Sequence, residues 1–183
     1  MFWNTLFLAG LGGVILIRMM FVVLLQSTPG AMPGARYLGW PVVAGMWLAP
    51  LLLALAGWPK ALPVTLPPLL PALGVLLLAL SVWLFWRSHA DVLMGNLQAG
   101  NQRGRGVYQR IRHPMLLSLW LLMVAELLLL GDALPAVIGL LALSVDLRRR
   151  LEREDDSQRR LLGADYARYR SETGGFWPRS LAG

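Results

Sequence analysis

The chain reads as an all-α, polytopic integral membrane protein with about five transmembrane helices, a C-terminal helical hairpin and a cytoplasmic tail helix. Three observations predict this. The 183 residues are 56% hydrophobic with a mean hydropathy of +0.56, too apolar for an ordinary soluble domain. Leucine-rich runs recur at lengths that cross a hydrocarbon layer of about 30 Å. Lys and Arg crowd into alternate connections, the asymmetry that orients membrane proteins.

Three N-terminal spans are expected within residues 1–86. The first covers roughly 5–25, is interrupted by Arg18, and ends before Gln26-Ser27-Thr28-Pro29-Gly30, a cluster that breaks helices. Arg18 is costly in lipid; it either snorkels toward the 26–37 loop or pairs with Asp146 or Glu126. Ala9 and Gly13 offer small surfaces for close helix packing. The second span is expected around 38–57, kinked by Pro50, and a proline-rich connector from Trp58 to Pro68 follows as a stiff crossing. The third runs from about Leu69 to Trp86, with Trp83 and Trp86 placed either for an aromatic belt or to face a cationic ligand.

Residues 87–114 form a polar loop carrying His89, Asp91, Gly100, Gly104 and Gly106; its glycines would let backbone approach a ligand closely. The segment 115–147 reads as a helical hairpin turning at Gly131-Asp132. Its second arm is short for an upright span and is expected to continue into the charged segment beyond Leu147. Glu126, deep in the first arm, is the most conspicuous buried acid and reads equally as a functional carboxylate or as a paired or neutral one. The tail, 148–183, mixes arginines with acids as a solvated or headgroup-facing helix would, and Phe176-Trp177-Pro178 suits an interfacial anchor.

Of 17 Lys and Arg, nine lie in the tail, five in 87–114 and one, Arg36, in the first loop, against Lys60 alone on the opposite side. The tail and the 87–114 loop are therefore expected in the cytoplasm and the N-terminus outside. The net charge of +7 follows from this topology; no aromatic-interleaved basic stripe points to nucleic acid. No cysteine is present and there are only two histidines, His89 and His113, so no metal site is expected. The start of the chain lacks the positive region of a signal peptide, which makes the first apolar run a retained membrane helix.

The chemistry gathers at Gly106-Val107-Tyr108-Gln109-Arg110-Ile111-Arg112-His113-Pro114, set against the apolar run that opens at Met115. Arg112-His113-Pro114 places a permanent fork donor, a titratable imidazole and a fixed backbone bend within three residues, a possible ligand clamp. Taken alone, the triplet also reads as a snorkelling arginine, an interfacial histidine and a helix-starting proline. The pattern Gly-x-Tyr-x-x-x-Arg-His-Pro resembles the signature of the integral membrane methyltransferases that include isoprenylcysteine carboxyl methyltransferases and phospholipid N-methyltransferases. Arg150-Leu151-Glu152-Arg153-Glu154-Asp155 is similar to that family's Arg-Ile-x-x-Glu-Glu, and the run from Leu162-Gly163 to Tyr166 and Tyr169 to its Phe-Gly-x-x-Tyr-x-x-Tyr.

The resemblance covers the chain from about Asp91 onward and implies a compact helical membrane core binding S-adenosylmethionine. By positional match, Gly106, Tyr108, Arg112, His113 and Pro114 surround the cofactor, joined from the tail by Glu154 and by Asp155 in place of the family's second Glu. Arg112 suits the cofactor carboxylate, Tyr108 its adenine, and the acids its amino or ribose groups. Arg150 and Glu154, one helical turn apart, can address one ligand together and are the candidate catalytic pair. The implied acceptor is a membrane lipid or lipidated small molecule: a prenylcysteine carboxylate needs no base, whereas an ethanolamine nitrogen would use Glu154. Leu116 and Ser118 stand where the family commonly has Tyr and Gly. Two other readings compete: a membrane scaffold whose charged tail binds anionic lipid, and a related membrane reductase, which would require nicotinamide. The alanine-, leucine- and arginine-rich composition suggests a bacterial inner membrane; oligomeric state is open.

Overall fold

The computed structural model describes residues 2–26, 48, 60, 62–97 and 106–175, with side chains for all of these except 25–26, 95–97, 146–155, 157–158 and 161–162. The expected second span apart from Leu48, the rest of the proline-rich connector, Gly100, Gly104 and the Phe176-Trp177-Pro178 anchor lie outside the described residues. The described residues form an all-helical unit: α1 (Phe2–Gln26), α2 (Leu70–Leu97), a 3-10 turn (Gly106–Gln109), α3 (Pro114–Leu130), α4 (Ala133–Leu162) and α5 (Ala164–Glu172).

Two helices are long and apolar enough to cross a membrane, through Phe2–Leu24 and Leu70–Met94. Only 28% of each of these windows is buried. The core helix of a water-soluble domain would be mostly covered, so these faces suit lipid better than water. The core sits where α1, α2 and α3 meet, with α2 packed most extensively on α3. Phe7, Leu11 and Val14 reach it from α1, Phe85 from α2, and Leu119 and Leu122 from α3. Gly13, expected as a packing surface, has open space where its side chain would be; the close approach is one turn earlier, where a Cβ on Gly10 would lie 2.7 Å from Leu78.

α2 runs well past Trp86, so Arg87 to Leu97 are helical rather than loop. Its polar residues find partners within the helix: Arg87 pairs with Asp91 at 3.0 Å, and the Ser88 hydroxyl donates to the Phe85 carbonyl at 2.8 Å. Pairs one turn apart support a helix through a polar stretch.

Arg18 neither snorkels nor meets Glu126. It is 6% exposed, and its Nη1 donates to His89 Nε2 at 3.1 Å. His89 Nδ1 donates to the Phe85 carbonyl at 2.8 Å, which leaves Nε2 as the acceptor. The imidazole also packs against Phe85 and Phe21, so His89 is an interior link between α1 and α2 rather than part of a polar loop. Asp146, the other candidate partner, lacks a described side chain. Glu126 is fully buried, and neither carboxyl oxygen has a hydrogen-bond partner among the described residues.

The α3–α4 hairpin closes at Gly131-Asp132. Gly131 adopts a left-handed conformation (φ 60°), and its N–H returns to the Leu127 carbonyl, a glycine C-cap. Asp132 Oδ1 accepts from Leu134 N at 3.0 Å and from Leu62 N at 3.1 Å, capping α4 and tying down the connector. Val64 N to Gly131 O and Ala133 N to Leu62 O complete the junction. Asp132→Ala removes both side-chain bonds and is expected to lower stability by about 2 kcal/mol, measured by thermal unfolding in detergent; Asp132→Asn, which keeps the acceptor oxygen, should lose less than half as much. α4 then continues unbroken through the charged segment to Leu162, and the Gly163 break sets off α5.

Candidate functional site

The site begins on the last turns of α2. Asp91, paired with Arg87, is buried, and its Oδ2 accepts from Val107 N at 2.9 Å. That bond holds the start of the 3-10 turn against the helix end. Gly106 has φ 55°, and a Cβ there would fall onto the Asp91 carboxylate. Only glycine combines that conformation with that approach.

The turn delivers Arg112-His113 to the tail. Arg110 N and Ile111 N both donate to the Val107 carbonyl, at 3.2 and 3.1 Å. Ile111 and Gly174 then form a parallel bridge. Arg112 N donates to Gly174 O at 2.8 Å and His113 N to Gly175 O at 3.2 Å. A second tie lies beside it, where the Tyr169 hydroxyl donates to the Tyr108 carbonyl at 2.7 Å. Tyr166, one turn earlier on α5, is buried. Two segments some sixty residues apart are thus joined by at least three hydrogen bonds, two of them between backbones.

Pro114 starts α3, where its missing N–H costs nothing. His113 occupies the N-cap position without capping through its side chain, while its carbonyl accepts from Leu116 N and Leu117 N. The Arg112 side chain passes over Gly175, where a Cβ would lie 3.4 Å from Nη2. Its Nε is buried with no hydrogen-bond partner among the described residues. A buried guanidinium donor without an acceptor is energetically costly, and an anionic ligand group would satisfy it.

Gly106, Tyr108, Arg112, His113 and Pro114 therefore lie on one short segment, docked to the tail. Arg150, Glu154 and Asp155 lie on α4, but their side chains are outside the described residues. Leu116 belongs to the apolar core. Ser118 is buried, its hydroxyl turned back to the Met115 carbonyl at 2.6 Å and its own carbonyl accepting from Ser81 Oγ at 2.7 Å. Both positions serve the α2–α3 contact. Sequence reasoning missed Asp91 as the anchor of the turn and Gly174-Gly175 as its dock. The acid one turn after Arg87 was the available signal for the first; the second is carried by backbone carbonyls. No group of three or more potential metal ligands occurs among the described residues. No family model matches the chain, and no curated protein matches it.

Proposed function

We propose that this chain is an S-adenosylmethionine-dependent methyltransferase acting on a lipidic acceptor, either prenylcysteine carboxylate-like or phospholipid amine-like, at the cytoplasmic membrane face. About five spans, an external N-terminus and a cytoplasmic tail follow from the basic asymmetry, and the composition favours a bacterial inner membrane. The observation that carries the reading is the docking of Arg112-His113 onto Gly174-Gly175 beside an unsatisfied Arg112 Nε. With the Tyr169–Tyr108 bond beside it, it ties together two of the three segments that resemble the family's motifs, and Arg112 supplies the charged donor that a cofactor carboxylate would require.

When bound, S-adenosylmethionine supplies an electrophilic methyl group. The chain's own work is positional. Arg112 would hold the carboxylate and Tyr108 would take the adenine, while Glu154 and Asp155, on α4, would be the partners of the amino and ribose groups. Holding nucleophile and methyl carbon in line supplies much of the acceleration. For an amine acceptor, Glu154 takes the proton from nitrogen with Arg150 one turn away; a carboxylate acceptor needs no proton removed.

Calorimetry with S-adenosylmethionine and detergent-purified protein tests this. Wild type is expected to bind, and His113→Ala and Glu154→Ala are each expected to weaken binding roughly tenfold or more. Failure of correctly folded wild type to bind would sink the methyltransferase reading and favour a lipid-binding scaffold.

A further inference from the structure

α5 is too short to be a stable helix by itself. It runs from Ala164 to Glu172, and an isolated helix of that length does not persist in water. Every residue in it is exposed except Tyr166, which is buried, and Tyr169, which is half-buried. Its helical form therefore depends on docking. One residue joins it to α4: Gly163 is the C-cap of α4 and the N-cap of α5, with φ 53° and ψ −121°, a combination that favours glycine. A Cβ on Gly163 would meet nothing within 4 Å, so the glycine serves the bend and not the packing. α5 with residues 173–175 is a strap on a one-residue joint.

The strap is tied to the turn that carries Arg112 and His113. The Tyr169 hydroxyl donates to the Tyr108 carbonyl, and the carbonyls of Gly174 and Gly175 accept from Arg112 N and His113 N. Docking carries a penalty at the same place. Gly175 lies against the Arg112 guanidinium, and Nε is buried with no hydrogen-bond partner among the described residues. A charged donor stripped of water and given no acceptor opposes the closed state. An anionic group at Nε reverses that effect, because a charge-assisted bond is stronger where water is excluded. The open and closed strap thus differ in affinity for an anion, which is the condition for a ligand to shift a conformational equilibrium.

We infer that α5 with residues 173–175 closes over the Arg112-His113 segment when an anionic ligand group reaches Arg112 Nε, and opens as a unit about Gly163 when none does. Naming that group as the carboxylate of S-adenosylmethionine rests on the methyltransferase reading; the coupling between Arg112 and the strap does not. Hydrogen exchange of the full-length protein in nanodiscs, followed by mass spectrometry, reports both partners, through the amides of Arg112 and His113 and through those of α5. Without ligand the two sets are expected to exchange together, and at least roughly tenfold faster than the core of α3 around Leu119 and Leu122.

Saturating S-adenosylmethionine is expected to slow both sets roughly tenfold and to leave α3 unchanged. Arg112→Met keeps the backbone donor and removes the unsatisfied charge. It is expected to slow ligand-free exchange of α5 about threefold or more, whereas loss of a side chain that merely buttressed the strap would speed it. Arg112→Gln takes its place if that variant fails to fold. Slower exchange in the Arg112 variant, with no binding of S-adenosylmethionine to wild type by calorimetry, keeps the strap and removes the methyltransferase reading. Cofactor that binds wild type without slowing α5 keeps the enzyme and overturns the strap. Exchange in the Arg112 variant as fast as in wild type, or faster, overturns it as well.

Discussion

Gly106→Ala is expected to weaken S-adenosylmethionine binding on the order of 100-fold while leaving the helical content of the protein unchanged. The left-handed conformation at φ 55° costs an L-residue about 1–2 kcal/mol. The added Cβ also falls onto the Asp91 carboxylate, so either the turn or Asp91 must move. Moving Asp91 away from Val107 N forfeits a hydrogen bond to a charged acceptor, about 1.5–3 kcal/mol. The two costs together reach roughly 3 kcal/mol or more, and each 1.4 kcal/mol is tenfold in binding. None of this touches the α1–α2–α3 core, so circular dichroism and elution in detergent should match wild type. Calorimetry reads the result: binding within threefold of wild type would show that the turn's position is immaterial to the ligand.

The parts of the fold that rest on local signals were legible in the sequence. α1 is an apolar run closed by polar and turn-forming residues, and the Gly131-Asp132 hairpin combines the two residue types that end one helix and start the next. What escaped depended on partners far along the chain. Arg18 reads as a snorkelling cation because its acceptor, His89, is 71 residues away. The sequence ends α2 at Trp86 because Arg87, Ser88, His89 and Asp91 read as a loop; each is polar yet bonded within the helix or to a neighbouring element. The candidate site divides in the same way. Arg112, His113 and Pro114 are visible as a motif, but the carbonyls of Gly174 and Gly175 that dock them belong to residues with no side chain to recognise. Glu126 is conspicuous in the sequence and fully buried in the fold, and no described group explains it.

A chain ended at Gly163 is expected to keep its membrane core and lose S-adenosylmethionine binding by about 100-fold or more. The truncation removes α5 and the 173–175 segment, and with them the acceptors of Arg112 N and His113 N and the Tyr169 hydroxyl that ties Tyr108. Three hydrogen bonds at about 1 kcal/mol each are lost, which corresponds to roughly 100-fold in affinity. The covering of the Arg112 guanidinium by Gly175 is lost as well. The core contacts of α1, α2 and α3 do not involve the tail, so the thermal midpoint of the helical signal should move by only a few degrees. Tyr169→Phe separates docking from mere tail presence: one of the three bonds goes, and affinity should fall about fivefold. A truncated protein that binds like wild type would show that the Arg-His-Pro turn works alone and that its pairing with the tail is architectural. A Tyr169→Phe effect as large as the truncation would instead place most of the coupling in the Tyr108 contact, beside the expected adenine position, and little in the glycine bridge.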